Sequence, residues 1–238
     1  MTPADPSGTG GPQAGPVPGL YPWPFDGDLR PDNTALLVIG MQRDYLCAGG
    51  WLDCAGHDIA PLAALSAPLG STLSALRRAG LAVLHLREGH RPDLNDLPET
   101  KRWRSARMGA EIGHPGPLGR HLVRGAPGTD LVLPALPGED IIEVTGRSGF
   151  YGTDLDALLR LRGLRNLVLA GALTDGMVQA TLREANDRGY ECLVLEDLCA
   201  STSPAQHAEQ IRMFALAGGL WGSVGRSADL LAALEDPR

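Results

Sequence analysis

The chain has 238 residues and a formal charge of −7 at neutral pH, because 28 acidic residues outnumber 21 basic ones. This acidity argues against a protein that binds nucleic acid. Hydrophobic residues make up 43% and charged residues 21%, which is the balance of a globular protein and not of a disordered chain. No apolar run approaches the ~20 residues that a membrane-spanning helix needs.

The remaining composition predicts a cytoplasmic protein. The first twenty residues lack the basic start and apolar core of a secretory signal. The four cysteines form no CxxC pair, and a chain of this length needs no disulfides, so we interpret them as reduced thiols: Cys47, Cys54, Cys192 and Cys199.

The first twenty residues differ in composition from the rest of the chain. They contain five Gly and five Pro, half of the segment, so they have too little apolar surface to offset the entropy of ordering. We predict a disordered tail over residues 1–20 and a single domain over residues 21–238. Prolines space three aromatic residues, Tyr21, Trp23 and Phe25, in a strap that we expect to lie across the domain or a neighbouring subunit.

Short apolar runs alternate with helical patterns from Thr34 onward. The runs predict buried strands at Thr34 to Gly40, Ala82 to Leu86, Ile141 to Val144, Leu167 to Ala170 and Cys192 to Leu195. The intervening patterns predict helices at Ala60 to Arg78, Asp154 to Arg162, Asp175 to Arg188 and Pro204 to Ala217. This alternation indicates an α/β fold with a parallel sheet covered on both faces, in which ligands bind beyond the carboxyl ends of the strands.

A long irregular stretch, Gly89 to Asp130, interrupts the alternation and contains a basic cluster between Lys101 and Arg107. Loops of this length in a compact domain are usually functional, interfacial or disordered. We weigh a subunit contact, a lid over the crevice and a plain solvated basic patch.

Several residues at the predicted strand ends could form a site. Glu88 and His90 are the best acid/base pair by position, because alternate residues of an extended chain face the same side. The alternative is structural: Glu88 pairs with Arg87 or Arg104, and His90 caps a turn. We expect Thr174 to cap the helix that begins near Asp175. We predict that the following residues wall a pocket for a small molecule: Gln42, Tyr45, Trp103, Phe150, Tyr151, Ala172, Leu173, Thr174 and Asp175.

Histidines near the crevice do not make a persuasive metal site. None of the candidate ligands has the tight helical or turn spacing typical of a ligand set; they are Asp53, His57, His85, His90 and His114. We therefore predict no metal and no cofactor.

Five blocks of the sequence resemble one family. They are TALLVIGMQRDY, REGHRPDLNDLP, KRWRSARMGAEIG, SGFYGTDLDALLRLRGLRNLVLAGALTD and REANDRGYECLVLEDLCAS. Together they resemble the isochorismatase-like cysteine hydrolases, above all the branch of the biuret and ureidoacrylate amidohydrolases. The resemblance implies a Rossmann-like three-layer α/β/α sandwich with a mainly parallel central sheet. It also implies a homo-oligomer, a dimer or tetramer, and amide hydrolysis through a thioester by an Asp, Lys and Cys triad.

The positions that match this triad carry other residues. Gly40 stands in the place of the Asp, Val144 in that of the Lys and Met177 in that of the Cys. A thioether has no ionisable proton and cannot form an acyl intermediate, and neither glycine nor valine can transfer a proton. Loss of one member of a comparable nucleophilic constellation costs on the order of 10⁴ to 10⁶ in rate. The resemblance also implies that the bond between Ala172 and Leu173 corresponds to one that is often cis.

Three hypotheses follow for the function. The first is a repurposed small-molecule enzyme that promotes a non-hydrolytic step, such as cyclisation or isomerisation, by orientation and desolvation. The second is an inactive pseudoenzyme that acts as a binding or regulatory subunit, for example beside an active homologue. The third is a C–N hydrolase whose catalytic residues have moved, for which Cys47, Cys54 and Cys199 are the obvious but poorly placed nucleophiles.

Overall fold

A computed structural model describes residues 14–235 of the chain. Its centre is a six-stranded sheet in the order β5-β2-β1-β6-β7-β8, in which every neighbouring pair is parallel. The strands are β1 Thr34–Ile39, β2 Ala82–Glu88, β5 Asp140–Val144, β6 Asn166–Ala172, β7 Glu191–Ala200 and β8 Ser223–Gly225. A separate two-stranded ribbon joins β3 Pro115–Gly116 to β4 Gly119–Arg120. With helices on both faces, this is the predicted three-layer α/β/α fold.

Nine α-helices lie between residues 14 and 235. They are α1 Arg43–Leu46, α2 Trp51–Cys54, α3 Ala60–Ala63, α4 Ser66–Arg78, α5 Glu99–Arg107, α6 Leu155–Leu161, α7 Gln179–Asp187, α8 Pro204–Phe214 and α9 Ser227–Glu235. The predicted helix from Ala60 to Arg78 is thus two helices. Pro68 has no N–H to donate within a continuous helix, and the second helix begins just before it.

Burial explains why the central strands have no polar alternation. All six residues of β1 and all seven of β6 are buried. A strand covered by helices on both faces buries consecutive side chains, so its sequence is a continuous apolar run. Burial of these strands between the helices therefore stabilises the sheet. Because β5, β2, β1 and β6 are parallel neighbours, their carboxyl ends lie together at one edge.

The start of the described chain packs on the domain. Ala14 and Val17 are buried and form isolated bridges with Leu29 and Trp23. Residues 14–20 are therefore part of the folded unit, and the predicted tail boundary at residue 20 is wrong. The prediction for residues 1–13 lies outside the described residues. The strap crosses the domain itself, since Trp23 is fully buried and the Tyr21 hydroxyl donates to Glu191 Oε1 at 2.9 Å.

None of the helices found between residues 14 and 235 is long and apolar enough to cross a membrane.

Candidate functional site

The three positions to which the resemblance assigns a triad lie at the carboxyl edge of the sheet, and they are occupied by Gly40, Val144 and Met177. Val144 ends β5 and pairs in register with Glu88, the last residue of β2. Gly40 follows β1, and its N–H donates to the Leu86 carbonyl at 2.8 Å. Met177 lies in the turn that follows β6. Ionisable groups at this edge must therefore come from other residues.

Glu88 is the centre of a buried ionic cluster. Its side chain is fully buried, and its Oε1 lies 2.6 Å from Lys101 Nζ while its Oε2 lies 3.1 Å from Arg147 Nη1. The Tyr45 hydroxyl donates a short hydrogen bond to Oε2. We call these four residues the Glu88 cluster. The expected alternatives for Glu88 are wrong, because Arg87 pairs with Glu143 and Arg104 makes no ion pair with Glu88 in the described chain.

Gln42 fixes the backbone beneath this cluster. Its amide Nε2 donates to the Glu88 carbonyl at 2.9 Å, and its Oε1 accepts from the Glu88 N–H at 2.8 Å. This pair of bonds satisfies both backbone groups of a residue that has no contact with water. Gln42 is itself fully buried, and it therefore positions Glu88.

Charge neighbours set the protonation states in the cluster. Burial opposes ionisation of Glu88, but Lys101 and Arg147 together hold the pKa of its carboxyl below the ordinary value. Burial lowers the pKa of the Lys101 ammonium, although Glu88 partly offsets that effect. Burial and the Glu88 charge raise the pKa of Tyr45 well above its usual range. The cluster is thus a carboxylate hydrogen-bonded to an ammonium, a guanidinium and a neutral phenol.

A cavity of about 460 Å³ opens beside the cluster. Its lining combines one aromatic ring with three cations and one carboxylate: Asp96, Pro98, Thr100, Lys101, Arg104, Thr145, Gly146, Arg147 and Tyr151. Helix α5, inside the stretch predicted as irregular, supplies Thr100, Lys101 and Arg104. Part of that basic stretch therefore walls a cavity, as the lid hypothesis requires, whereas its role as a subunit contact stays a prediction.

The predicted pocket residues are dispersed. Tyr151 lines the cavity, and Tyr45 lies beneath it in the Glu88 cluster. Trp103 is 59% exposed and points elsewhere, with the Arg107 guanidinium 5.0 Å from its ring centre. Phe150 is buried and stacks on Tyr190, with 5.6 Å between ring centres. Neither Trp103 nor Phe150 belongs to the lining found in the described residues.

The turn after β6 has an unusual backbone. The peptide bond between Ala172 and Leu173 is cis, as the resemblance implies. The turn Thr174–Val178 then leads into α7, with a non-helical residue at Gly176. Thr174 caps neither this turn, whose cap position is Leu173, nor α7, whose cap position is Val178; its hydroxyl is hydrogen-bonded to His207 Nδ1 at 2.9 Å. Asp175 has a buried carboxylate oxygen that finds no hydrogen-bond partner among residues 14–235.

Side chains fill the space around Met177. Met177 is 1% exposed, and its Sδ lies 3.7 Å from the Tyr45 hydroxyl. Gly40 has a φ of +62°, and a Cβ built there would collide with the Ala172 carbonyl oxygen and lie 3.1 Å from the Tyr45 ring. An aspartate at position 40 would therefore be strained in this backbone. The open cavity lies to the side of this packed region.

His90 does not pair with Glu88. It is fully buried, and its Nδ1 lies 3.2 Å from Asp96 Oδ1, while its Nε2 has no partner among residues 14–235. Burial lowers the pKa of its imidazole. The turn is capped instead by Asp96, which accepts the Arg91 N–H at 3.0 Å. The predicted acid/base pair is thus two separate groups, each with its own ionic partner.

Burial shields two of the four thiols from ligands. All four cysteines are free, and Cys192 and Cys199 are buried. Burial raises the pKa of Cys199 to about 12, so it is a thiol and not a thiolate. No group of three or more His, Cys, Asp or Glu side chains within residues 14–235 could hold a metal. His85 lies within β2, as expected, and its Nε2 is 3.1 Å from Glu139.

Lys101 and Arg147 are the functional candidates that the sequence analysis missed. One signal was present: Lys101 is the single lysine in the sequence, so it is one of 21 basic residues and the other 20 are arginines. A chain that uses arginine everywhere else has its one primary side-chain amine in the site.

Comparisons with known proteins agree with this fold and branch. Residues 34–224 match the Isochorismatase domain family. A ureidoacrylate amidohydrolase (RutB) of Agrobacterium fabrum is 34% identical over 181 residues, which cover 74% of this chain and 79% of that protein. The corresponding enzyme of Caulobacter vibrioides is 34% identical over 188 residues, 77% of this chain and 82% of that protein.

Solved structures show the same architecture. A cysteine hydrolase from Pseudomonas syringae pv. phaseolicola superposes with a TM-score of 0.74 at 24% identity, covering 94% of this chain and 98% of that one, which is a likeness in fold. N-carbamoylsarcosine amidase from Thermoplasma acidophilum gives a TM-score of 0.62 at 27% identity, covering 82% and 96%. The chain therefore belongs to the isochorismatase family, on the branch of the ureidoacrylate amidohydrolases.

Proposed function

We propose that this chain is a small-molecule enzyme of the isochorismatase family that promotes a non-hydrolytic step of the cyclisation or isomerisation type. The observation that supports the proposal is the Glu88 cluster beside an open cavity. We interpret Gly40, Val144 and Met177 at the same edge as substitutes for the triad that the resemblance implies. A perturbed, ion-paired group that faces a cavity is the usual sign of a site for acid/base chemistry.

Lys101 is the group through which this cluster reaches a ligand. Its side chain is 13% exposed and lines the cavity, while Glu88 beneath it is fully buried. A proton can pass between the Lys101 amine and a bound molecule, with Glu88 and the Tyr45 phenol as hydrogen-bonded neighbours. Proton transfer of this kind supports isomerisation or ring closure and requires no acyl intermediate.

The side chains of Met177 and Cys199 argue against the thioester route. Met177 cannot attack a carbonyl, and Cys199 is buried with a raised pKa. His90, the other predicted acid/base residue, supports the site indirectly by its contact with Asp96, which lines the cavity.

A screen for ligands followed by product analysis tests this proposal. Compounds that raise the melting temperature are incubated with the protein, and the mixture is followed by NMR. We expect a product formed without release of ammonia, and loss of its formation in Lys101→Met. A product of amide hydrolysis would contradict the proposal and favour the relocated hydrolase.

The packed region around Met177 favours a second candidate, a binding or regulatory pseudoenzyme. Tyr45, Val144 and Met177 are all buried and leave little room where the triad would act. If ligands bind in the cavity and remain chemically unchanged, and if an active homologue co-purifies with the chain, the pseudoenzyme hypothesis replaces the first.

A further inference from the structure

We propose that Lys101 is a nucleophilic amine that forms an imine with the carbonyl group of an oxo acid bound in the cavity. The inference deepens the proposed function and rests on it, because it names the class of substrate and the bond that Lys101 would form. The two can still fail separately, since imine formation is measured without turnover.

The position of Nζ suits attack on a ligand. Its contacts are Glu88 Oε1 at 2.6 Å and the Thr145 carbonyl oxygen at 2.5 Å. An ammonium has three donors, so one direction is left over, and the residue lines the cavity. The two contacts hold the nitrogen in place, and the third direction is available to a bound carbonyl carbon.

The surroundings of Lys101 allow it to lose a proton. The Arg147 guanidinium shares Glu88 with the ammonium, and burial together with this second cation disfavours the charged amine. Glu88 stays a carboxylate and holds the nitrogen, so the proton that faces the cavity is the one lost, to solvent in the cavity. Lysines activated by desolvation and by a neighbouring cation are those that form imines in other enzymes.

The charge of the cavity selects an acid as the partner. Lys101, Arg104 and Arg147 line it, against one lining carboxylate, Asp96. Asp96 is already engaged by His90 and by the Arg91 N–H. Arg104 pairs with no carboxylate in the described chain, so its guanidinium is available for the carboxylate of a ligand. A molecule with both a ketone and a carboxylate meets both requirements.

The reaction balances without any oxidant or reductant. The ammonium loses its cavity-facing proton to solvent, and the lone pair left there forms a C–N bond to the carbonyl carbon as the C=O π bond breaks. The oxygen takes one proton from the nitrogen to become a hydroxyl. The solvent returns the first proton to this hydroxyl, which leaves as water as the C=N bond forms. The net change is an ammonium and a ketone giving a protonated imine and water. Such an imine draws electrons from the adjacent carbon, which suits an isomerisation.

Reductive trapping tests the inference directly. The folded full-length protein is incubated with pyruvate or levulinate and cyanoborohydride, which supplies the hydride, and the adduct is located by peptide mass mapping. The sequence contains one lysine, so an amine adduct lies on Lys101 or on the chain terminus. We expect Lys101 to be labelled at least about tenfold faster than in the same chain unfolded in urea, the effect of about one charge-assisted hydrogen bond.

Two variants test whether Arg104 recognises the carboxylate of the oxo acid. Arg104→Gln should slow trapping of the oxo acids about tenfold but leave trapping of acetone unchanged. Arg102→Gln is the matched control on the same helix, because Arg102 pairs with Glu111 and does not line the cavity; it should trap as the parent does. Labelling of Lys101 no faster in the folded than in the unfolded chain would overturn the inference. So would equal loss in both arginine variants.

Discussion

Two buried carboxylates at the same edge of the sheet have pKa values shifted in opposite directions. Glu88 is 0% exposed and Asp44 1% exposed, so both are removed from water. Lys101 and Arg147 lower the pKa of Glu88 despite its burial. Asp44 receives the backbone N–H groups of Leu122 at 2.9 Å and Trp51 at 3.2 Å, which do not offset burial, and its pKa rises to about 6.

This difference in pKa shift distinguishes a carboxylate that holds the backbone together, Asp44, from one that belongs to the candidate site, Glu88. Asp44 ties α1 to α2 and to the segment around Leu122, and Gly128 packs so closely against its carboxylate that a Cβ there would collide with it. Glu88 holds two cations beside a cavity. Burial is common to both, and the presence of cations marks the one that belongs to the candidate site.

The largest expected effect comes from Glu88→Gln. The substitution removes the counter-charge of Lys101 and Arg147 and leaves two cations facing each other. Breaking a fully buried ion pair costs ~3–5 kcal/mol, and because Arg147 is partly exposed we expect the lower end, about 3 kcal/mol. Urea unfolding at pH 7 measures the change. A loss of under about 1 kcal/mol would mean that the cluster is well solvated.

Asp44 should make the free energy of unfolding fall as pH rises. Its folded pKa of about 6 lies above the unfolded value, so its stabilising contribution is complete below about pH 4 and is lost as pH rises through 6. The loss amounts to ~2–3 kcal/mol. Unfolding free energies of the parent and of Asp44→Asn at several pH values test this, and their difference should change between pH 4 and 7. A constant difference would contradict it.

Glu88 should make the free energy of unfolding rise with pH, the reverse of the effect of Asp44. Its folded pKa is lowered, so its contribution is present above the unfolded pKa and is lost as pH falls through the folded one. The difference in stability between the parent and Glu88→Gln should therefore shrink at acid pH. A difference that grows on acidification would show that Glu88 is protonated in the fold.

Tyr45→Phe should have the smallest effect of the series. The variant loses the hydroxyl that donates to Glu88 and contacts Met177 but keeps the ring against Gly40. A hydrogen bond to a charged group contributes about 1.5–3 kcal/mol, and since the two cations remain we expect ~1–2 kcal/mol in urea unfolding. A loss as large as that of Glu88→Gln would mean that the phenol, and not the cations, holds the carboxylate.

The sequence predicts the strands that position the site better than the side chains that form it. Continuous apolar runs mark β1 and β6, and they locate Gly40, Glu88 and Val144 at strand ends. Helix α5 was missed because it is strongly polar and has one buried residue, Ser105, so it carries no apolar periodicity. Its Lys101 contacts Glu88 only through tertiary packing.

Other elements were short or set by long-range contacts. Strand β8 has three residues, too few for a recognisable run. By sequence alone the hydroxyl of Thr174 could cap a helix. In the fold it is hydrogen-bonded to His207 on α8, which is distant in the sequence. Arg147 follows Val144 in a loop whose path no local pattern specifies.

We propose above all that the site does not hydrolyse amides through a thioester. The most direct measurement is ammonia release from ureidoacrylate, biuret or nicotinamide, combined with intact mass analysis of the protein during the reaction. We expect no release above background and no acyl adduct. Ammonia release that disappears when Cys47, Cys54, Cys192 or Cys199 is changed to Ser, or an acyl group found on one of these thiols, would contradict it.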